Sequence, residues 1–221
     1  SYFVRDGSPL DQEARNRGTS VYLPDRVIPM IPEIVSNNLA SLQPGKVRYA
    51  RTCWIEFSPD GVPVHAAMES SAIKSRRRFT YEEVDVFLAD PDTPAVEMTP
   101  EVRALLGRMR DLARILRARR MARGALQLEM PEVKIDLDRD GRVAGAHVVE
   151  NTESHQIIEE FMLSANEAVA EALRAAEAPF LRRIHPAPDP RKLRQLTEFV
   201  SELGFEVDSL ESRFELQRLL D

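Results

Sequence analysis

The side chains able to do chemistry in this sequence are few and dispersed. Four histidines, His65, His147, His155 and His185, show no metal-ligand spacing. His65 and His147 fall in strand-like runs and read as surface or packing residues. Cys53, the single cysteine, lies in a similar run with no base beside it, so a buried, inert thiol is expected. One cysteine also excludes an internal disulfide framework and fits a reducing, cytoplasmic setting. Asp136, Asp138 and Asp140 alternate in a way that could suggest cation ligands. They lack the distal glutamate of a calcium loop, so turn formation is their expected role. There is no Gly-rich phosphate loop and no Walker-type lysine. Self-contained catalysis is not visible in these residues.

Charge is more informative. The chain of 221 residues has a formal net charge of −6, which by itself argues against a polyanion ligand. Yet eight arginines stand between Thr99 and Arg123 against only Glu101 and Asp111, and Lys74–Arg78 adds a second basic run. A segregated basic zone can attract phosphates even in an acidic protein, because the local field decides where a polyanion docks. The competing expectation is a solvated helix face.

The elements that must carry these residues are marked by local chemistry. Ser8-Pro9 reads as an N-cap with proline at the first helical position, the helix ending near Gly18. Thr80-Tyr-Glu-Glu83 is a capping box opening a short helix to about Ala89. Thr99-Pro100 opens a long helix to about Gly124, with an apolar stripe of Val102, Leu105, Leu106, Met109, Leu112, Ala113 and Leu116. Arg103, Arg110, Arg114 and Arg117 follow a parallel stripe. A second long helix spans about Thr152 to Glu177, and two more start at Asp189-Pro190 and at Asp208. Hairpins over Cys53–Lys74 and Val133–Val149 turn at Ser58-Pro59-Asp60-Gly61 and Asp138-Arg139-Asp140-Gly141, where the glycines supply positive φ. Residues 22–45, rich in proline, read as an irregular functional loop. The fold class is α+β, with antiparallel hairpins packed against long helices. No apolar run approaches the roughly 18–20 residues of a membrane span. The chain starts without Met, as though inside a strand, has no signal peptide and stops in a helical pattern, so an internal fragment is expected.

Several blocks carry a resemblance. They are residues 1–11 (SYFVRDGSPLD), 13–24 (EARNRGTSVYLP), 28–32 (IPMIP), 39–45 (LASLQPG), 73–84 (IKSRRRFTYEEV), 123–126 (RGAL) and 157–170 (IIEEFMLSANEAVA). In order and approximate spacing they resemble the catalytic RNB domain of the RNase II/RNase R family of 3′→5′ exoribonucleases, over nearly the whole chain. The resemblance implies part of a Mg²⁺-dependent hydrolase that degrades single-stranded RNA to nucleoside 5′-monophosphates. It places the metal-binding aspartates before Ser1 and an arginine-bearing segment beyond Asp221, with cold-shock and S1 domains elsewhere in the parent. No catalytic or metal-ligating residue is therefore expected within these 221 residues.

The resemblance also assigns binding roles. Tyr22 matches the tyrosine that stacks on the last 3′ nucleotide; the alternative is a loop anchor packing under Pro24. Tyr81 and Glu159 match positions that contact ribose near the scissile end, where a 2′-hydroxyl separates RNA from DNA. Leu128 departs from the pattern: the family has an aromatic there as the other jaw of the base clamp. The segment is thus expected to grip RNA without performing the chemistry. A non-catalytic RNA-binding relative, or a partner-binding module using the basic helix, are the alternatives.

Overall fold

The computed structural model describes residues 2–92, 96–128, 132–184, 186–207 and 209–220. Ser1, His185, Asp208 and Asp221, which figure in the sequence reading, lie outside the described residues. Two compact units are present. The first comprises Ser1–Thr52, Met68–Val84 and Pro131–Asn151; the second comprises Cys53–Ala67, Asp85–Met130 and Thr152–Asp221.

In the first unit, α1 (Pro9–Arg17) starts where expected: Ser8 Oγ accepts the Asp11 N–H at 3.3 Å and Pro9 is the first helical residue. Residues 2–7 form turns, not the strand expected from the sequence. The proline-rich stretch, read as an ordered but irregular loop, carries short regular elements. Two short strands, β1 (Val21–Tyr22) and β2 (Val27–Ile28), pair antiparallel with Tyr22 opposite Val27. A π-helical turn follows over Ile34–Leu39, closed by Ala40 N–H donating to Val35 O at 2.8 Å. Arg48 donates to Asn38 O at 3.2 Å and to Ser41 O at 3.0 Å, tying the end of the turn and the residues after it to the strand that follows.

Strands β3 (Val47–Phe57) and β4 (Pro63–Lys74) form the longer hairpin, and β3 begins earlier than the Cys53 boundary read from the sequence. Cys53 is half-buried, not fully enclosed. Strands β5 (Glu132–Leu137) and β6 (Val143–Val149) form the other, with a register irregularity at Asp136/Leu137. Its turn uses Asp138 as expected: Oδ1 accepts the Asp140 and Arg142 N–H groups, both at 2.9 Å. Val133, Ile135, Val143 and Val148 of this hairpin are exposed.

Helix α2 (Tyr81–Ala89) opens on a reciprocal capping box, with Thr80 N–H donating to Glu83 Oε2 at 2.8 Å and Glu83 N–H to Thr80 Oγ1 at 3.2 Å. In the second unit, α3 (Pro100–Ala122) is capped by Thr99 and packs along α4 (Glu153–Ala175). The buried apolar residues here include Phe87, Val96, Ala113, Leu116, Ile157, Val200 and Leu210. Leu105, assigned to the apolar stripe, is exposed. Asp85 fixes the start of α4, accepting from Thr152 Oγ1 at 2.6 Å and Ser154 N–H at 3.1 Å.

Helix α5 (Pro190–Glu202) starts on Asp189 as expected. The last helix, α6 (Arg213–Leu220), begins later than the Asp208 start read from the sequence, because Ser212 Oγ accepts the Phe214 N–H at 3.2 Å. In the same unit the turn of the longer hairpin approaches α3. A Cβ built on Gly61, whose φ is +77°, would stand 2.8 Å from Ile115 Cγ2. Among the described residues, no helix is long and apolar enough to cross a membrane.

Candidate nucleic-acid interface

Tyr22 stands on β1 with 79% of its surface exposed. Its backbone is fixed on both sides. Leu23 N–H donates to Arg26 O at 2.9 Å, Met30 N–H to Ser20 Oγ at 3.0 Å, and Arg17 Nη1 to Pro29 O at 2.8 Å. The ring is not tucked under Pro24, as the anchor alternative requires. An aromatic face offered to solvent on a rigid backbone is a platform on which any base can stack.

Tyr81, 42% exposed, is the first residue of α2, directly after the capping-box threonine. Arg77 reaches the same box through Glu83 Oε1 at 3.0 Å. Leu128, 58% exposed, follows α3 in a segment held by Gln127 N–H donating to Gln217 Oε1 at 2.8 Å. Tyr22 and Tyr81 belong to the first unit, Leu128 and Glu159 to the second.

Glu159 is the predicted residue whose surroundings differ most from expectation. It lies on α4 facing the arginines of α3. Arg120 Nη2 donates to Glu159 Oε1 at 3.0 Å, and Arg117 Nη1 lies 3.7 Å from Glu159 Oε2. Arg120 also binds the adjacent Glu160, whose side chain is 3% exposed, through Nε and Nη2 at 2.6–3.2 Å. Arg114 completes the row by donating to Glu153 Oε1 at 2.5 Å. The Arg120 guanidinium is held above its usual range, first by its hydrogen bond to Glu160. That of Arg114 is raised by its hydrogen bond to Glu153.

The arginine stripe is therefore not a free phosphate track. Arg114, Arg117 and Arg120 are committed to α4 carboxylates, and Arg103 donates to Pro91 O at 2.6 Å. Arg119, Arg120 and Arg123 all line a cleft of about 730 Å³ with Phe57, Val64 and Leu163, and Glu160, which holds Arg120, lines it too. Sequence reading missed Arg120 and Glu160. The available signal was the repeat of arginines at 114, 117 and 120 opposite glutamates at 153, 159 and 160 on a second long helix.

Among the described residues no group of three or more His, Cys, Asp or Glu side chains could hold a metal ion. Asp138 is occupied by its turn, and Asp136 Oδ1 lies 2.9 Å from His147 Nδ1.

The sequence profile of the RNB domain matches residues 1–221, so the chain belongs to the RNB-domain family. Ribonuclease R of Thermotoga maritima is 43% identical over 205 residues, covering 92% of this chain and 29% of that protein. Among solved structures, Mycoplasma genitalium RNase R in complex with double-stranded RNA superposes with a TM-score of 0.88 at 29% identity, over 100% of this chain and 40% of that one. The same enzyme in complex with ribose methylated single-stranded RNA gives 0.87 at 30% identity, over 99% of this chain and 34% of that one. The chain thus spans less than a third of the Thermotoga relative's length and 34–40% of the matched structures.

Proposed function

We propose that this chain is the substrate-gripping part of a 3′→5′ exoribonuclease acting on single-stranded RNA, and that it binds the 3′ end without cleaving it. Tyr22 carries the reading. An exposed tyrosine on a backbone-fixed ladder contributes little to a core and suits stacking on a terminal base. In this reading Tyr81 and Glu159 each contact a ribose hydroxyl, Leu128 offers a base an apolar wedge, and Arg119 and Arg123 attract phosphates. RNA bound to relatives of the same family supports the substrate class.

Hydrolysis of the phosphodiester would need magnesium to activate water and neutralise developing charge. Its ligands lie outside this chain in the proposal, as do the cold-shock and S1 domains of the parent. Recognition of an acidic protein surface by the arginine stripe is the weaker reading, because Arg114, Arg117 and Arg120 are already paired.

The test is binding and turnover measured on the same purified chain. Single-stranded RNA should bind in a salt-dependent way, and no mononucleotide should be released with Mg²⁺ present. Release of 5′-mononucleotides by the 221-residue chain would overturn the division between grip and chemistry.

A further inference from the structure

Arg120 does something that a simple staple between α3 and α4 does not require. Its Nε lies 3.1 and 3.2 Å from the two oxygens of Glu160, and its Nη2 lies 2.6 Å from Glu160 Oε1. That same Nη2 lies 3.0 Å from Glu159 Oε1. Consecutive helical residues project about 100° apart, so two such carboxylates converge only on a cation placed between them. Glu160 alone would suffice to hold the helices.

The arrangement has a direction. The Glu160 side chain is 3% exposed and cannot swing, so it fixes the planar guanidinium. The guanidinium in turn holds Glu159, whose side chain remains 35% exposed. Arg117 adds a longer contact to each carboxylate, at 3.7 Å to Glu159 and 3.6 Å to Glu160. An unbraced glutamate on a helix surface loses rotamer freedom when it accepts a hydrogen bond from a ligand; a braced one has already lost it.

We propose that Arg120 is a positioning residue for RNA selectivity: braced by buried Glu160, it presents the Glu159 carboxylate in one orientation to a ribose 2′-hydroxyl. The inference rests on the reading of Glu159 as a ribose contact. Arg120 itself touches no substrate.

The test uses the ratio of affinities for a labelled oligoribonucleotide and the oligodeoxyribonucleotide of the same sequence. A purely structural role would move both affinities together and leave the ratio unchanged. Arg120→Met combined with Glu160→Leu removes the buried ion pair as a unit, which spares the fold the cost of a single buried charge. This double variant and Glu159→Ala should each lower the RNA preference about tenfold, through the RNA affinity alone. Arg120→Lys keeps the buried charge pair but lacks the fork that spans both carboxylates, so it should lower the ratio too. It serves as the second variant if the double one unfolds. If Glu159→Ala abolishes the preference while the Arg120 variants retain it, the positioning role is wrong and the ribose contact stands. If the wild-type chain shows no RNA preference, or Glu159→Ala leaves it intact, the ribose contact and this inference both fall.

Discussion

The two parts of the proposed grip are built by opposite means. Around Tyr22 the chain uses backbone: a two-residue ladder, a turn closed by Leu23 and Arg26, a main-chain N–H of Met30 donating to Ser20 Oγ and Arg17 donating to the Pro29 carbonyl. The tyrosine ring contributes nothing to holding it together. Around Glu159 the chain uses side chains: three arginines of α3 interleaved with three glutamates of α4, one of them buried. There the functional group belongs to the scaffold. The difference teaches that binding and stability are separable at Tyr22 and entangled at Glu159.

That contrast can be broken most decisively at Arg120. Arg120→Ala leaves the Glu160 carboxylate buried with only the longer Arg117 contact, and should cost about 3 kcal/mol of stability. Denaturant unfolding of the purified chain checks this. A loss below about 0.5 kcal/mol, the scale of ordinary surface substitutions, would mean that the network is ornamental. Tyr22→Ala should do the reverse. Its unfolding midpoint should match wild type, while single-stranded RNA affinity falls about tenfold, consistent with the loss of one stacked base. A destabilised Tyr22→Ala chain would erase the distinction between the two regions.

The smallest effect sharpens the comparison. Leu128 is exposed and, in the proposed reading, closes on a base as an apolar wedge, so Leu128→Tyr should tighten RNA binding a few-fold by adding a stacking face. Equal affinity in a fluorescence anisotropy titration would show that the leucine wedge is no weaker than a ring.

Legibility from sequence followed the range of the interactions. Ser8, Thr80, Thr99 and Asp189 each announced a helix start, because a cap is settled within three or four residues. The hairpin turns at Gly61 and Gly141 were equally local. Tyr22 was identified by resemblance, and its exposure adds a physical reason to the match.

What escaped was non-local or lacked a residue signature. The π-helical turn at Ile34–Leu39 carries no side-chain pattern that marks it, and Arg48 reaches its Asn38 carbonyl from another element. The last helix starts after Ser212, although the Asp-Ser-Leu-Glu pattern at Asp208 offers a stronger-looking cap. The contacts of Arg120 with Glu159 and Glu160 span 39 and 40 positions, so an arginine destined for a carboxylate looks like an arginine awaiting a phosphate. Charge counted along the chain therefore overstated what was available for RNA. Only the contact geometry shows that Arg114, Arg117 and Arg120 are taken up by α4 carboxylates.

The two hairpin turns, nearly alike in sequence, also leave unequal room for mutation. Gly141 has φ +76° and open space where a Cβ would stand, so an asparagine, which tolerates that backbone region, could drift in at modest cost. Gly61 is closed twice over. Its backbone disfavours a side chain, and a methyl group there would press on the β-branched, rotamer-limited Ile115. A neutral substitution can accumulate at one turn, whereas at the other it would need a companion change on α3, so the second turn should diverge faster than the first as this lineage evolves.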